Sequence, residues 1–232
     1  MINDVKNTVQ AILNKENRGN LTPDQFNLYS KTAELEIFEQ YFYDLASAIK
    51  KTNQQIYSSG HADIARRLEE KIDFFTDPTT LAYDGLSLRF VIPTNTYKLG
   101  TLIYNNTTDI DIVPSNKIHY LIKSLDTTPD TSCPAGVIYG DQVQIYPATI
   151  VSSVSALRTR YPVGPKWTYN TFSEGEPLFN QSAGDYQDFE IPLDDFYNLV
   201  SKICQLAGIQ IREEQVVQYM KAEEVQEKQE QK

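Results

Sequence analysis

The hydrophobic pattern changes its period twice along this chain, and this limits the folds open to it. Up to about residue 75 the apolar residues recur at helical spacing, beginning with Val5 and Val9. Between 80 and 160 they follow strand patterns, as in the alternating segment 86–92. Helical spacing returns after Pro192. The sequence therefore predicts an α+β protein with N-terminal long helices, a central mixed or antiparallel β-sheet, and C-terminal helices that end in a charged tail.

The same changes divide the chain into regions. We distinguish an N-terminal helical region, a β-rich region, an extended docking arm or loop, and C-terminal helices with a charged tail, at 1–79, 80–160, 161–190 and 191–232. Helices are expected at about 1–13, 22–51, 61–75, 118–122, from Pro192 to a stop at Gly208, and from about Arg212. Strands are expected at 86–92, 101–104, 110–113, 136–139, 142–146 and 152–160. Gly140-Asp141 fits a two-residue hairpin turn.

The second helix has the strongest start signal in the chain. Thr22-Pro23-Asp24-Gln25 supplies a capping hydroxyl, a proline at the first helical position and a glutamine at the capping-box position. The apolar residues that follow cover more of the helix circumference than a single core-facing stripe needs. We therefore predict that this helix packs on two sides, with Phe38 and Phe42 at a contact between subunits.

Charge and composition narrow the function classes. The formal net charge of −10 disfavours general nucleic-acid binding, which needs Lys and Arg to displace counterions from phosphate. No segment has the length and apolarity of a membrane span, and the start of the chain is too polar for a signal peptide. The chain has fifteen tyrosines, whose rings supply apolar area while their hydroxyls remain hydrated. This composition favours a role at partly hydrated protein interfaces.

Residue types that carry chemistry are few and scattered. The histidines His61 and His119 and the cysteines Cys133 and Cys204 are too dispersed for a structural metal site, and we expect no cofactor and no metal. Neither cysteine has an activating neighbour, and Cys204 lies on an apolar helix stripe.

One acidic pair keeps an enzymatic alternative open. Asp109 and Asp111 are two carboxylates of the kind used in general acid–base catalysis, which would make the chain an acidic-pair hydrolase or other cytoplasmic enzyme. Strand alternation instead places both on one solvated face, with Ile110 and Ile112 turned inward.

The arm at 161–190 contains a Pro- and Gly-restricted stretch with three aromatic residues, Tyr161, Trp167 and Tyr169. A stiff extended segment loses little entropy on docking, and such side chains dominate interface energetics. We consider two interpretations of equal weight: the arm docks on a neighbouring chain through Trp167, or it folds back over its own sheet with Trp167 as local core.

The order of several short motifs resembles a known class of proteins. The motifs are Gly19 to Leu28, Gln144-Ile145-Tyr146-Pro147, Pro165-Lys166-Trp167-Thr168-Tyr169, and Phe189-Glu190-Ile191-Pro192 leading to Ala207-Gly208-Ile209. In this order they resemble virion structural proteins of crAss-like tailed phages of Bacteroidetes hosts. The likeness spans most of the chain.

The resemblance implies a non-enzymatic virion structural protein without catalytic residues. The expected role is a homo-oligomeric ring, an adaptor or connector of twelve copies in the neck, which joins the portal of the head to the tail. Its expected partners are other copies of itself, the portal protein and adjacent tail or neck rings, with genomic DNA passing through the channel without specific binding and no membrane. It would be made in the bacterial host cytoplasm. A more tail-distal ring or a fibre-docking protein is the alternative within the class.

Overall fold

A computed structural model describes residues 1–14, 21–53, 62–173 and 176–211 of the chain. Its α-helices are α1 (Ile2–Asn14), α2 (Pro23–Asn53), α3 (Ala62–Asp73), α4 (Ile118–Lys123) and α5 (Phe196–Ile211). Its β-strands are β1 (Thr76–Thr80), β2 (Ala82–Asp84), β3 (Arg89–Val91), β4 (Thr96–Tyr104), β5 (Thr108–Ile112), β6 (Ala135–Tyr139), β7 (Gln142–Tyr146), β8 (Val154–Arg160), β9 (Tyr169–Ser173) and β10 (Glu176–Phe179). The α+β prediction is confirmed, with a central mixed sheet between N-terminal and C-terminal helices.

The chain forms two compact units. The first is discontinuous and comprises Met1–Leu68 and Pro162–Lys232, whereas the second comprises Glu69–Tyr161. The boundary between the two units, after Leu68, lies inside α3, whereas the pattern placed the end of the N-terminal helical region at residue 79. From Pro162 onward the arm belongs, with the C-terminal helix, to the same unit as α1 and α2. The helix expected from Arg212 and the charged tail lie outside the described residues.

The first unit is built around α2. The predicted capping box is present, because the Gln25 N–H donates to Thr22 Oγ1 at 3.3 Å and the Thr22 N–H donates to Gln25 Oε1 at 3.1 Å. Helices α1 and α2 each pack on α5. The buried side chains of these helices include Val5, Val9, Phe26, Ile37, Phe38, Leu199 and Ile203. The predicted stop at Gly208 is wrong, since α5 continues to Ile211.

The second unit is an eight-stranded sheet in the order β1-β8-β4-β5-β6-β7-β3-β2. Its neighbouring strands are antiparallel except for β5 and β6, which are parallel and connected through α4. The strands at its two ends, β1 and β2, are joined by Leu81 alone, so the ends of the sheet meet at that residue. The Leu81 N–H donates to the Val154 carbonyl at 2.9 Å, and its side chain enters the core with Phe90 and Leu102.

Two positions of this sheet depend on glycine. Gly140 has φ of +63° between the paired residues Tyr139 and Gln142, which confirms the predicted two-residue hairpin. Gly100 lies at an irregularity in the pairing of β4 with β8, where a Cβ would come within 2.7 Å of the Leu157 carbonyl oxygen.

The sequence mispredicted the first part of the sheet. Residues Asp77 and Pro78, which directly follow the helix predicted at 61–75 and were not predicted as a strand, lie within β1, which pairs with β8. A proline is tolerated there because β1 is the first strand in the order of the sheet, with a hydrogen-bonded neighbour on one side only. The predicted strand at 86–92 is shorter, because residues 85–88 form a turn and β3 begins only at Arg89.

Arg158 is a buried cation of the second unit. The side chain is only 7% exposed. It donates to Thr79 Oγ1 at 2.9 Å and to Thr96 Oγ1 at 3.1 Å, and lies 3.4 Å from the Asp77 carboxylate. Asn95 accepts a further hydrogen bond. Burial of an uncompensated charge is costly, so the buried guanidinium of Arg158 requires these partners. The contacts therefore hold β1 and the segment before β4 against β8.

Replacing Arg158 with Ala should therefore lower the free energy of unfolding of the second unit by about 3 kcal/mol, because its polar partners lose their donor. Hydrogen exchange of the β8 amides measures this loss. The exposed Lys98 of β4 is the control, and Lys98→Ala should change the same quantity by less than about 0.5 kcal/mol. Equal effects of the two substitutions would contradict the structural role of Arg158.

Candidate assembly surfaces

The long helix α2 has apolar side chains on two opposite sides. At about 100° per residue, the buried Phe26, Ile37 and Tyr41 fall on one side of the helix. On the same count Leu28, Tyr43 and Ile49 fall within an arc of about 120° on the other side. These three side chains are exposed, by 63%, 75% and 43%. We call them the outer face of α2. They lie among exposed charged residues such as Lys31 and Glu39.

The residues of α2 that are accessible to other chains differ from those predicted from the sequence. Phe38 is fully buried within its own chain, and Phe42 is partly buried beside it, with ring centroids 5.1 Å apart in an edge-to-face arrangement. A charge at Phe38 would therefore disrupt the core of the first unit. Phe38 is therefore not available for the predicted contact between subunits, because its side chain is fully covered by its own chain.

The arm returns to the helices at Trp167, where it is fixed to α2 through the backbone. The Trp167 N–H donates to Asn27 Oδ1 at 2.8 Å, and the Asn27 side-chain amide donates to the Trp167 carbonyl at 3.1 Å. One amide side chain thus satisfies both backbone groups of Trp167, as a neighbouring strand would.

The indole ring of Trp167 is covered by its own chain and is 2% exposed. Its Nε1–H donates to Asn3 Oδ1 of α1 at 3.1 Å, and the Lys6 ammonium lies 3.9 Å from the ring centroid. Phe179 stacks on the ring at 5.8 Å, and Tyr169 lies at 5.9 Å. The structure thus favours the interpretation of Trp167 as local core, although the arm packs on helices and not on the sheet. The interpretation of Trp167 as an anchor buried by another chain is corrected accordingly.

Two acidic residues fix the later part of the arm. Asp188 Oδ1 accepts from the Ile2 N–H at 2.8 Å at the start of α1, and Asp188 Oδ2 lies 3.1 Å from the terminal ammonium. Glu190 Oε2 accepts from the Val163 N–H at 2.8 Å, and its own N–H donates to the buried Glu34 at 2.8 Å. The pattern of the sequence did not predict these partners, because each joins residues far apart in the chain.

The remaining aromatic candidates are partly accessible. Tyr161 and Tyr169 are each 39% exposed. Tyr161 belongs to the second unit and packs edge-to-face on Tyr97 at 5.2 Å, whereas Tyr169 begins β9 in the first unit. Their role at an interface stays a prediction. The arm also contains the hairpin of β9 and β10. The sequence did not predict it, because its apolar residues show no regular period there.

The acidic pair is on the surface. Asp109 and Asp111 are both exposed on β5, with Ile110 buried between them, as strand alternation predicts. Ile112 does not follow the expectation, because it is 43% exposed.

The other chemistry-bearing residues are separated. Cys133 is exposed, and burial raises the pKa of the Cys204 thiol to about 12, as suits a small apolar core residue. His119 is exposed on α4, and His61 lies outside the described residues. In the part of the chain that the structure describes, no three His, Cys, Asp or Glu side chains come together to hold a metal ion. None of the described helices is long and apolar enough to cross a membrane.

The burial of Trp167 generates a stability prediction. Trp167→Ala should lower the free energy of unfolding of the first unit by about 3–5 kcal/mol, because it removes a fully packed ring and its hydrogen bond to Asn3. Thermal unfolding followed by circular dichroism measures the change. Tyr169→Ala is the control at the neighbouring, partly exposed ring, and its effect should be clearly smaller. An unchanged melting temperature for Trp167→Ala would contradict the core assignment.

Asp188 generates a pH prediction. Burial raises the pKa of this carboxyl, but its hydrogen bonds to the terminal ammonium, the Phe189 N–H and the Ile2 N–H outweigh this and hold the pKa below its ordinary value. A lowered pKa in the folded state stabilises the protein above the ordinary Asp pKa of about 3.9. This stability is lost as the pH falls through the folded-state pKa.

Asp188→Asn should therefore destabilise the first unit at neutral pH and lose less further stability on acidification than the wild type does. The chain has a single tryptophan, Trp167, and it lies in the first unit. Its fluorescence therefore follows the acid unfolding of this unit. Parallel pH profiles for Asp188→Asn and the wild type would show that the carboxylate contributes nothing to the acid transition.

Comparison with known proteins gives no relative to set beside these surfaces, because no family model and no curated sequence matches the chain.

Proposed function

We propose that this chain is a non-enzymatic structural protein of a phage virion, which assembles with other copies into a ring in the neck between the portal and the tail. The resemblance of its ordered motifs to virion proteins of crAss-like phages motivates the class. The twelve-fold symmetry of this ring is likewise an expectation from the resemblance. The neighbouring rings and the portal are its proposed partners.

One structural observation carries the proposal: the outer face of α2. A helix that only supports the core of its own unit needs one apolar side, and α2 already buries Phe26, Ile37 and Tyr41 on that side. Leu28, Tyr43 and Ile49 are additional apolar side chains on the solvent side. These three side chains are spread along about 32 Å of the helix among exposed charged residues, so they would form an extended contact of mixed apolar and polar composition. The outer face is thus the proposed contact with a neighbouring protein of the neck.

The buried side of α2 is held firmly enough to present such a face. The Tyr41 hydroxyl donates to Asp195 at 2.7 Å at the start of α5, and burial together with Asp195 raises the pKa of Tyr41. The Lys202 ammonium of α5 lies 3.6 Å from the Glu36 carboxylate of α2. These contacts fix the orientation of α2 relative to α5.

The charge of the chain is compatible with a DNA channel. A wall rich in Lys and Arg would retain phosphates through counterion release, whereas a chain with a net charge of −10 lets DNA slide past. This supports passage of genomic DNA without specific binding in the proposed ring.

The proposal predicts the effect of charge on the outer face of α2. The double substitution Leu28→Glu and Tyr43→Glu should weaken binding to the portal by roughly tenfold or more, because it places two desolvated charges in the contact. The protomer should stay folded, since both side chains are exposed. Electron microscopy of the purified protein, alone and with the portal, measures assembly, and circular dichroism measures folding.

A matched control is Leu178→Glu, because Leu178 is 52% exposed on β10 of the same unit. It should leave assembly unchanged. If wild-type protein forms no ring and binds no portal, the proposed function is wrong. If the double variant assembles like the wild type, the outer face of α2 is an ordinary solvated face.

A further inference from the structure

The turn between β2 and β3 presents two leucines to solvent. Leu86 is 97% exposed and Leu88 is 63% exposed. They are separated by Ser87 in a turn of four residues that starts at Gly85. Most large apolar side chains of the second unit contribute to its core, so two leucines at one turn are a concentrated apolar projection. We call residues 85–88 the leucine tip.

The leucine tip has a fixed conformation. The carboxylate of Asp84 accepts hydrogen bonds from the Leu86 N–H at 3.0 Å, the Ser87 N–H at 3.4 Å and the Ser87 hydroxyl at 2.7 Å. The bond from the Ser87 hydroxyl is the main reason that the pKa of Asp84 is lowered, so the organising carboxylate stays an anion at neutral pH. A turn ordered in this way loses little conformational entropy on docking.

Leu88 adopts a backbone conformation that disfavours leucine. Its φ is +56°, in the left-handed region where a Cβ meets the following carbonyl. A glycine or asparagine is the usual residue at such a position. The other non-glycine residues with positive φ among the described residues are Asn105, Asn106 and Ser153, which are small and polar. A strained apolar residue with an exposed side chain is what selection for an external contact would retain.

The second unit also has an exposed apolar patch, which is flanked by two lysines, opposite in charge to Asp84. Helix α4 packs Ile118 and Leu121 on Ala135 and Val137 of β6. Tyr120 and Ile122 lie on its accessible side and are 78% and 40% exposed, and Leu125, just beyond the helix, is 99% exposed. The cations Lys117 and Lys123 lie at the two ends of this short helix and are exposed, and one exposed anion, Asp126, follows Leu125, so the two lysines outnumber the anion. We call these residues the α4 patch.

We propose that the leucine tip of one copy docks on the α4 patch of a second copy. Apolar side chains meet apolar side chains in this pairing, and the Asp84 anion approaches the Lys117 and Lys123 ammonium groups. Symmetric pairings are less favourable. Contact between two leucine tips brings two Asp84 anions together, and contact between two α4 patches brings the lysines of both copies together. The complementary rim charges thus select a head-to-tail contact.

A head-to-tail contact repeats from copy to copy. It generates a ring when the rotation closes and a filament when it does not. This inference rests on the proposed function for closure into a ring, and it deepens that function by assigning the contact between copies. The contact itself is testable in solution, without portal or virion.

Two single substitutions and their mixture test the direction of the contact. Leu86→Asp removes the tip and leaves the patch, whereas Leu125→Asp removes part of the patch and leaves the tip. In sedimentation velocity the wild type should associate in a concentration-dependent manner, and each variant alone should self-associate at least tenfold more weakly. An equimolar mixture of the two should form dimers and nothing larger, because only one intact tip and one intact patch remain to be paired.

The matched control is Val151→Asp, at a 47% exposed apolar residue of the same unit, and it should associate like the wild type. Circular dichroism should show all variants folded. A monomeric wild type, or a mixture that stays monomeric while the wild type associates, overturns the head-to-tail contact. These results are distinguishable from failure of the proposed function. A protein that binds the portal but is monomeric alone would contradict the head-to-tail contact and support the proposed function. A protein that self-associates through tip and patch without binding the portal would support the contact and contradict the function.

Discussion

The first unit depends on one constraint, which is that the chain must return to it after forming the whole sheet. Residues Glu69–Tyr161 form the second unit before the chain continues with the arm. Asn27 binds both backbone groups of Trp167, and the indole closes over α1 through Asn3 and Lys6. Asp188 then binds the start of α1. The helices and the arm therefore stabilise each other, and an arm rich in proline and glycine becomes part of the core instead of a free extension.

Local signals in the sequence predicted the parts of the fold that local physics decides. The Thr22–Gln25 capping box fixed the start of α2, and the Gly140 turn fixed the hairpin of β6 and β7. Strand β1 was missed, because Pro78 and its threonines give neither an apolar run nor a clean alternation, and its pairing with β8 joins residues about eighty positions apart. Gly208 did not end α5, because glycine in a helix costs only about 1 kcal/mol and packing of the helix outweighs it.

The candidate surfaces were predictable only in outline. The excess of apolar residues on α2 indicated a helix with more than one apolar side, but the sequence could not predict that Phe38 is buried and Leu28 exposed. That assignment depends on where α5 packs. The arm shows the same limit, since proline, glycine and aromatic residues suit a docking segment and a core segment equally. The polar partners Asn3 and Asn27 of Trp167 decide between the two, and they have no periodic signal of their own.

The proposed assembly surfaces combine exposed apolar side chains with polar and charged neighbours. The exposed apolar side chains include those on the outer face of α2, at the leucine tip and at the α4 patch. Tyrosine suits such places, because the ring supplies apolar area and the hydroxyl remains hydrated. The net charge of −10 adds a repulsion between free copies, which the proposed contact of Asp84 with Lys117 and Lys123 would locally reverse. In the proposed ring, association would therefore be favoured in the head-to-tail orientation that brings these opposite charges together.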